Sequence, residues 1–391
     1  MKIENEAQYI KTGYYLIEVV RAVLKNEKPP VIPPTITPEG LYQISKRHSL
    51  DCITYYGMKQ VLGKDCDGIE EKWKQRSMQC AVQGKIQLAE RDKLYELFAE
   101  AGIRILPLKG CLLKEMYQQQ EFRQMADLDI LIDHENMVTA QRIMEEAGYK
   151  SPEYLGVGNH DEYVKKPWCS VEIHRAVLPK HLKNADKYKD IWERAYEEKS
   201  GSVIYRLSWD DFYVYMLEHF AKHLYTGGSG IRFVMDVYVF LQNKGQELNQ
   251  NYLKEQLKDR ELWEFKKLVE QLADNWFKKG ITGVFKETEE LIITSGIYGT
   301  KEQDYRVKIN ELNRKYHFRG LSYVAYVGKQ AFLKYEQMCM LYPILEKHAV
   351  LLPFCWIHRI LKIVIKKQYK IKKMISFMSR MDKESKTEKQ K

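Results

Sequence analysis

The chain has 391 residues, 45% of them hydrophobic and 30% charged, a composition near the average of soluble globular proteins that excludes collagen, a disulfide scaffold and disorder over most of the length. At roughly 150 residues per domain this length predicts two or three domains with a core large enough to need no metal or disulfide staple. The formal net charge of +10 is concentrated at one end: residues 359–391 hold 12 Lys and Arg against 3 Asp and Glu, which leaves +1 for everything before them, so any argument from basicity to nucleic acid or a membrane concerns that tail alone.

In chain order, Met-Lys-Ile-Glu-Asn-Glu lacks the basic flank and apolar run of an export signal. No window reaches the roughly 18 apolar residues of a membrane span, so a cytoplasmic protein is expected. Gly13 to Leu24 places Tyr14, Ile17, Val20, Val23 and Leu24 at helical spacing and predicts an amphipathic helix. Five of the eleven prolines, at 29, 30, 33, 34 and 38, predict an extended connector. Thr37, Pro38 and Glu39 combine a capping hydroxyl, a pre-set φ and an acid in the first turn, so a helix starts there, and helices continue to about Ala101, before Gly102. Ile103 to Leu108 reads as a short strand whose Pro107 favours an edge or a bent strand over a regular central one. Lys109-Gly110 breaks it, a helix is expected over Cys111 to Gln120, and Leu128 to Ile132 is a second strand. Asn136 to Ala147 is a helix closed by Gly148. Glu162 to Lys166 and Ser170 to His174 alternate as a hairpin around Pro167-Trp168, and Val203 to Leu207 is a further strand. From Ser208 the pattern is helical to about residue 380. The expected division is a helical region over 1–86, an α/β core over 87–208, a helical domain over 209–347, and a basic amphipathic helix with a disordered tail over 348–391. The seven cysteines, Cys52, Cys66, Cys80, Cys111, Cys169, Cys339 and Cys355, are scattered without a C-x-x-C pair and read as reduced thiols.

Asp127 and Asp129 flank one apolar residue at the start of a strand, so their carboxylates share a face. Two carboxylates about 6–7 Å apart repel unless a proton or a cation neutralises them, and hard divalent cations such as Mg²⁺ prefer oxygen ligands; the alternative is a solvated acidic strand end. Lys109-Gly110, at a strand-to-helix turn, offers free N–H groups and an ammonium to a phosphate, and Arg123 can add a bidentate clamp. Glu172 and His174 share a face of a strand able to pair beside the first, where a third carboxylate completes a two-metal phosphoryl-transfer site; otherwise they mark an ordinary edge strand. His219 and His223 share a helix face. Phe220 stands where a metalloprotease needs Glu, which leaves packed histidines or the acceptor side of a cleft. Gly227-Gly228-Ser229-Gly230 before Arg232 is either an inter-helix loop or a backbone nest closing on phosphates with Arg232 as a second clamp. The amphipathic stretch Trp356 to Met378 is a packed helix with a solvated basic face, or a surface for anionic membrane or RNA.

Taken in order, Leu108-Lys109-Gly110, Tyr117, Arg123-Gln-Met-Ala-Asp127-Leu-Asp129-Ile-Leu-Ile, Glu172-Ile-His174, His219-x-x-Lys222-His223, Gly227 to Arg232 with Asp236, and Tyr342-Pro343 through Leu351-Leu352-Pro353 to Trp356 and Arg359 resemble the uncharacterised bacterial nucleotidyltransferase family of the DNA polymerase β-like superfamily. The resemblance covers nearly the whole chain. It implies an α+β fold, with a small mixed-sheet core carrying a Gly turn and then D-x-D, flanked by N-terminal and C-terminal helical domains. It further implies transfer of a nucleoside monophosphate from a nucleoside triphosphate to a hydroxyl acceptor, with release of pyrophosphate and dependence on two Mg²⁺ ions, for which Mn²⁺ can substitute. Asp127 and Asp129 match the metal-binding acids, and Glu172 matches the third carboxylate, which would ligate a metal and help deprotonate the acceptor. Lys109, Gly110, Arg123 and Arg232 are the nucleotide-binding candidates, and His174, His219 and His223 the acceptor-pocket candidates. Cys111 departs from the Gly or Ser that normally touches phosphate after the Gly, and the gap from Gly110 to Asp127 is longer than in the wider superfamily. A near-neutral body favours a small-molecule or protein hydroxyl over a long nucleic acid. The rival readings are a non-catalytic nucleotide-binding regulatory module, and a protein acting through its basic tail on RNA or peripherally on the anionic inner membrane surface.

Overall fold

The computed structural model describes residues 3–62, 68–153, 158–180, 182–297, 328, 331–333, 335–342 and 344–366. The chain divides into two compact units, Met1–Gly299 and Thr300–Lys391; every candidate site residue lies in the first. Four helices open it: α1 (Ile3–Leu24), α2 (Pro38–Arg47), α3 (Asp51–Met58) and α4 (Ile69–Glu100). The expected stripe of α1 buries Ile17, Val20 and Val23 against α2, α3 and a late helix, α12 (Lys286–Ser295). Thr37 caps α2 by accepting the Gly40 N–H at 3.1 Å. Helix α4 passes through residue 86 without a break, and after it Gly102 takes φ +68°, a left-handed value that costs glycine little.

The α/β core is one mixed sheet of β1 (Ile105–Leu108), β2 (Leu128–Ile132), β3 (Lys150–Glu153), β4 (His160–Lys165) and β5 (Cys169–His174), in the spatial order β1-β2-β5-β4-β3. Strands β2 and β5 run parallel and all other neighbours antiparallel. Of the two positions its proline favours, β1 takes the edge as an outer strand, with an isolated bridge from Ile105 to Ile204 beyond it. The opposite edge, β3, gives no strand signal in Lys150-Ser151-Pro152-Glu153, since proline and charge read as a turn; an edge tolerates both. Two expectations are corrected. The helix expected over Cys111 to Gln120 stops early, as α5 (Gly110–Lys114), because Lys114 and Tyr117 form tertiary bonds described below that a continued helix would not serve. The strand expected over Val203 to Leu207 shrinks to β7 (Tyr205–Arg206), paired with β6 (Tyr196–Glu197). Helices α6 (Met137–Glu146) and α7 (Ile191–Arg194) complete this region.

Ser208 accepts the Asp211 N–H at 3.1 Å and starts α8 (Trp209–Thr226), followed by α9 (Ile231–Lys244), α10 (Gln250–Asp259), α11 (Trp263–Asp274), a π-helical turn over Asn275–Lys279, and α12. Aromatic and aliphatic side chains of α8, α9 and α11, among them Phe220, Phe240, Val234 and Leu272, join the sheet and the N-terminal helices in one continuous core. The chain is thus α+β, a small mixed sheet flanked by helices. In the second unit, the helix Leu352–Lys366 contributes Cys355 to a separate small core with Met338 and Leu345. The rest of the basic stretch, from residue 367 onward, lies outside the described residues. Among the described residues no helix is long and apolar enough to cross a membrane, and Cys52, Cys80, Cys111, Cys169, Cys339 and Cys355 are free thiols.

Candidate active site

Register brings the acids together. On the parallel pair β2 and β5, Asp129 lies opposite Glu172, and Leu131 opposite His174, so side chains on one face of the sheet meet across the two strands. Lys109 follows β1, whose Leu108 is opposite Asp129; with φ +47° the chain turns sharply there and swings the ammonium back, so Lys109 Nζ donates to Asp129 Oδ1 at 2.6 Å. From the other side His174 Nε2 donates to the same oxygen at 3.0 Å. The ring is oriented by Asn159, whose Nδ2 donates to His174 Nδ1 at 3.2 Å and places the ring proton on Nε2. Glu172 lies 3.2 Å from His174 Nε2 and 3.7 Å from His160 Nε2. One ligand atom each from His160, Glu172 and His174 fall within 4.8 Å of one another, close enough to hold a metal ion.

The electrostatics of Asp127 and Asp129 differ. Burial, reinforced by the charges of Asp129 and Glu172, pushes the Asp127 carboxyl up to about 6. Burial acts the same way on Asp129, yet Lys109 and the His174 bond overcome it and hold Asp129 far below the usual carboxylate range. Burial disfavours charge on both partners, but the bonds to Asp129 and Glu172 hold His174 above the ordinary imidazole value, and Asp129 holds Lys109 above the ordinary ammonium value. The acids therefore crowd negative charge at one wall of a cavity of about 330 Å³.

The opposite wall is helical. His219 and His223 face each other with Nε2 atoms 3.0 Å apart, so one donates to the other and the accepting ring is neutral. Burial pushes both down, His223 to about 4, and Phe233 packs on both rings. They are packed, and they line the cavity. Tyr215 and Lys222 join them there. The Tyr215 hydroxyl is buried with no hydrogen-bond partner among the described residues, and burial keeps it protonated. Neither residue is a site candidate on sequence reasoning, although Tyr215 is four residues before His219 and Lys222 three after it, spacings that put all three on one face. Asn159 and His160 gave less signal, since only the β4 to β5 pairing carries them to His174.

With this geometry in view, the comparisons with known proteins are decisive for the family. A family model described as an uncharacterised nucleotidyltransferase matches residues 34–278, more than half of the chain. The chain belongs to this family. Neither a curated protein nor a solved structure matches the chain significantly.

In this nucleotidyltransferase family member the remaining sequence candidates divide by their bonds. Arg123, read as a phosphate clamp, is committed elsewhere: Nε and Nη2 donate to Asp236 Oδ1 and Oδ2 at 2.9 and 3.1 Å, Nη1 donates to Gly110 O at 3.3 Å, and the side chain is buried. Tyr117 donates to Asp236 Oδ1 at 2.7 Å. Arg123 thus ties the Gly110 turn to α9. A Cβ on Gly110 would lie 2.9 Å from Arg123 Nη1, so this glycine makes room for the clamp. The Gly227 to Gly230 segment also serves packing. Gly227 and Gly228 both donate their N–H groups to His223 O, and the Ile231 N–H donates to His48 Nδ1 at 3.1 Å, so these donors are not available to a nest. Gly230 is forced by close approach, since a Cβ there would meet the Ile297 backbone at 2.8 Å. Arg232, whose Nη1 donates to Gln124 O at 2.7 Å, lines the cavity, as do Gly110 and Arg123.

Proposed function

We propose that the cavity transfers a nucleoside monophosphate from a nucleoside triphosphate to a hydroxyl acceptor, a small molecule or a protein side chain, with release of pyrophosphate. The observation that carries this reading is the pairing of Asp129 with Glu172 across β2 and β5 beside Asp127, at the wall of a cavity that also presents Lys109, Lys222 and Arg232, in a chain of a nucleotidyltransferase family. The donor set fits a divalent cation: Asp127, Asp129 and Glu172 line one cavity, and burial with the repulsion of the other two acids already disfavours charge on Asp127. Asp127, Asp129 and Glu172 are hard oxygen ligands suited to Mg²⁺, with Mn²⁺ as a substitute, while His160 beside Glu172 adds an imidazole nitrogen; His174, with both nitrogens bonded, would orient Asp129. Two such ions, when bound, would neutralise the phosphates and stabilise charge developing on the α-phosphate and the leaving pyrophosphate.

The chain's own groups supply the rest. Lys109, held at Asp129, and Arg232 would meet the phosphate charge. The Tyr215 hydroxyl, buried and unpartnered among the described residues, would donate to a substrate oxygen. Glu172 would take the proton of the acceptor hydroxyl as its oxygen bonds to the α-phosphorus and the bond from that phosphorus to the bridging oxygen breaks. His219 and His223 would line the acceptor side. Calorimetric titration with a non-hydrolysable nucleoside triphosphate, with and without Mg²⁺, followed by an acceptor screen for pyrophosphate release, is the test. Metal-dependent binding with turnover is expected. Binding without turnover on any hydroxyl class would favour the regulatory reading, and equal affinity with and without metal would remove the metal site.

A further inference from the structure

A second cavity of about 240 Å³ adjoins the first: Met125, Ala126 and Arg232 line both. Its other walls come from α4, with Arg76, Gln83 and Gln87, and from Lys114 at the end of α5. No carboxylate is among its lining residues. Arg76 is answered by Asp51, whose Oδ2 accepts from Nε at 2.8 Å, but Lys114 has no such answer. Its side chain is 2% exposed, its Nζ donates to the Arg123 carbonyl at 3.1 Å, and no acid is within ion-pair distance among the described residues. Helix α4 even makes room for this ammonium, since a Cβ at Gly84 would lie 2.8 Å from Nζ. Burial, helped by Arg123, pushes Lys114 down to about 8, so a nearby negative charge would be needed to hold it fully protonated.

We propose that the second cavity is an oxyanion subsite in which Lys114, with Arg76 and Arg232 around it, receives a phosphate or carboxylate group of the substrate while the reacting end lies at Asp127. Gln83 and Ser49 offer neutral hydrogen bonds to the atoms that carry the anion, while the Gln87 and Gln124 amides already donate to Met125 O and Trp168 O and to Asp51. The acceptor is thereby an anionic hydroxyl compound rather than a neutral one, and this identification rests on the transfer activity proposed above. The triphosphate of the nucleotide is the other source of the same chemistry.

Two variants test the subsite without emptying the core. Lys114→Met replaces a buried cation by an apolar side chain of similar length, so the melting temperature should hold or rise. Gln83→Glu places a competing carboxylate in the cavity wall. Titration of inorganic phosphate in metal-free buffer should show binding to the wild type and a loss of about tenfold or more in affinity in each variant, the weight of one charge-assisted bond. A non-hydrolysable nucleoside triphosphate with Mg²⁺ then separates the sources. Unchanged nucleotide affinity in both variants assigns the anion to the acceptor, and a matching loss assigns it to the nucleotide. No phosphate binding by the wild type, or equal binding by all three proteins, overturns the subsite. Nucleotide binding retained in that case leaves the transfer reading standing, whereas phosphate binding without nucleotide binding keeps the subsite and removes the transfer reading.

Discussion

Asp236 and Asp129 are both buried carboxylates held by a cation, and they sit in different company. Asp236 receives Arg123 through two nitrogens and Tyr117 through its hydroxyl, so its charge is met by donors. Asp129 receives Lys109 and His174, but its neighbours also include Asp127 and Glu172, and the cost of that crowding shows on Asp127, pushed up to about 6 by burial and then by the two acids. Both arrangements line the same cavity, but the first has its charge met, closed in that sense, and would gain nothing from another ion, whereas the second is left open, short of positive charge. Buried acid–base pairs alone therefore do not mark a reactive site; unanswered charge beside them does.

The largest expected effect tests the closed pair. Arg123→Ala leaves Asp236 buried with only Tyr117, and about 3–5 kcal/mol of stability should be lost. Urea unfolding would read it, and an unchanged midpoint would show that the clamp does not hold the turn. At the open site Asp127→Asn should cost about a thousandfold in pyrophosphate release, about 4 kcal/mol, while the melting temperature in metal-free buffer stays level or rises because a repelling charge is gone. A variant that unfolds would move Asp127 into the closed class. Asp127 serves better here than Asp129, whose removal would strand Lys109.

A pH test places His48 with the closed groups. Its two nitrogens are occupied, Nδ1 by the Ile231 N–H and Nε2 by the Ile293 carbonyl at 2.9 Å, and burial pushes it down to about 3 from an ordinary 6.5. Between those values the unfolded chain binds the extra proton, so stability is full above about pH 6.5 and falls as pH drops toward 3. From pH 7 to pH 5 this one group should remove about 2 kcal/mol. His219 and His223 act with the same sign, so the measurement is the difference in pH slope between wild type and His48→Gln; equal slopes would show that His48 titrates normally. The smallest effect concerns the basic tail. Deleting residues 379–391 should leave activity unchanged, and cosedimentation with anionic liposomes should fall in high salt if residues 359–391, with their net +9, seat the chain on a membrane surface.

The carboxylates were legible in the sequence because a strand's period of two forces Asp127 and Asp129, and likewise Glu172 and His174, onto shared faces, and because β2 and β5 are apolar enough at alternate positions to be strands. The helix starts at Thr37 and Ser208 were legible for a similar reason, since capping is local. Arg123 was not. Its partner, Asp236, is 113 residues away, and no local spacing distinguishes an arginine waiting for phosphate from one already paired. The same limit applies to Lys114, whose burial depends on Gly84 of a distant helix. The early end of α5 follows from these long-range bonds, which outweigh the helical preference of residues 115–120.

The contact between His48 and Ile231 has a consequence for how the protein can be divided. Every proposed metal ligand lies between residues 127 and 174, which invites the view that the α/β core is portable and the helices around it are accessories. Yet the first N–H of α9, the helix that supplies Arg232 and Asp236, is held by an imidazole from the loop after α2, and that imidazole's other nitrogen is fastened near the end of α12. A fragment starting at α4 would retain all three carboxylates and lose the ring that fixes where α9 begins. Transplanting the core onto another scaffold would therefore have to carry a substitute for His48, and the first helices are as much a part of the framework of the proposed site as the strands.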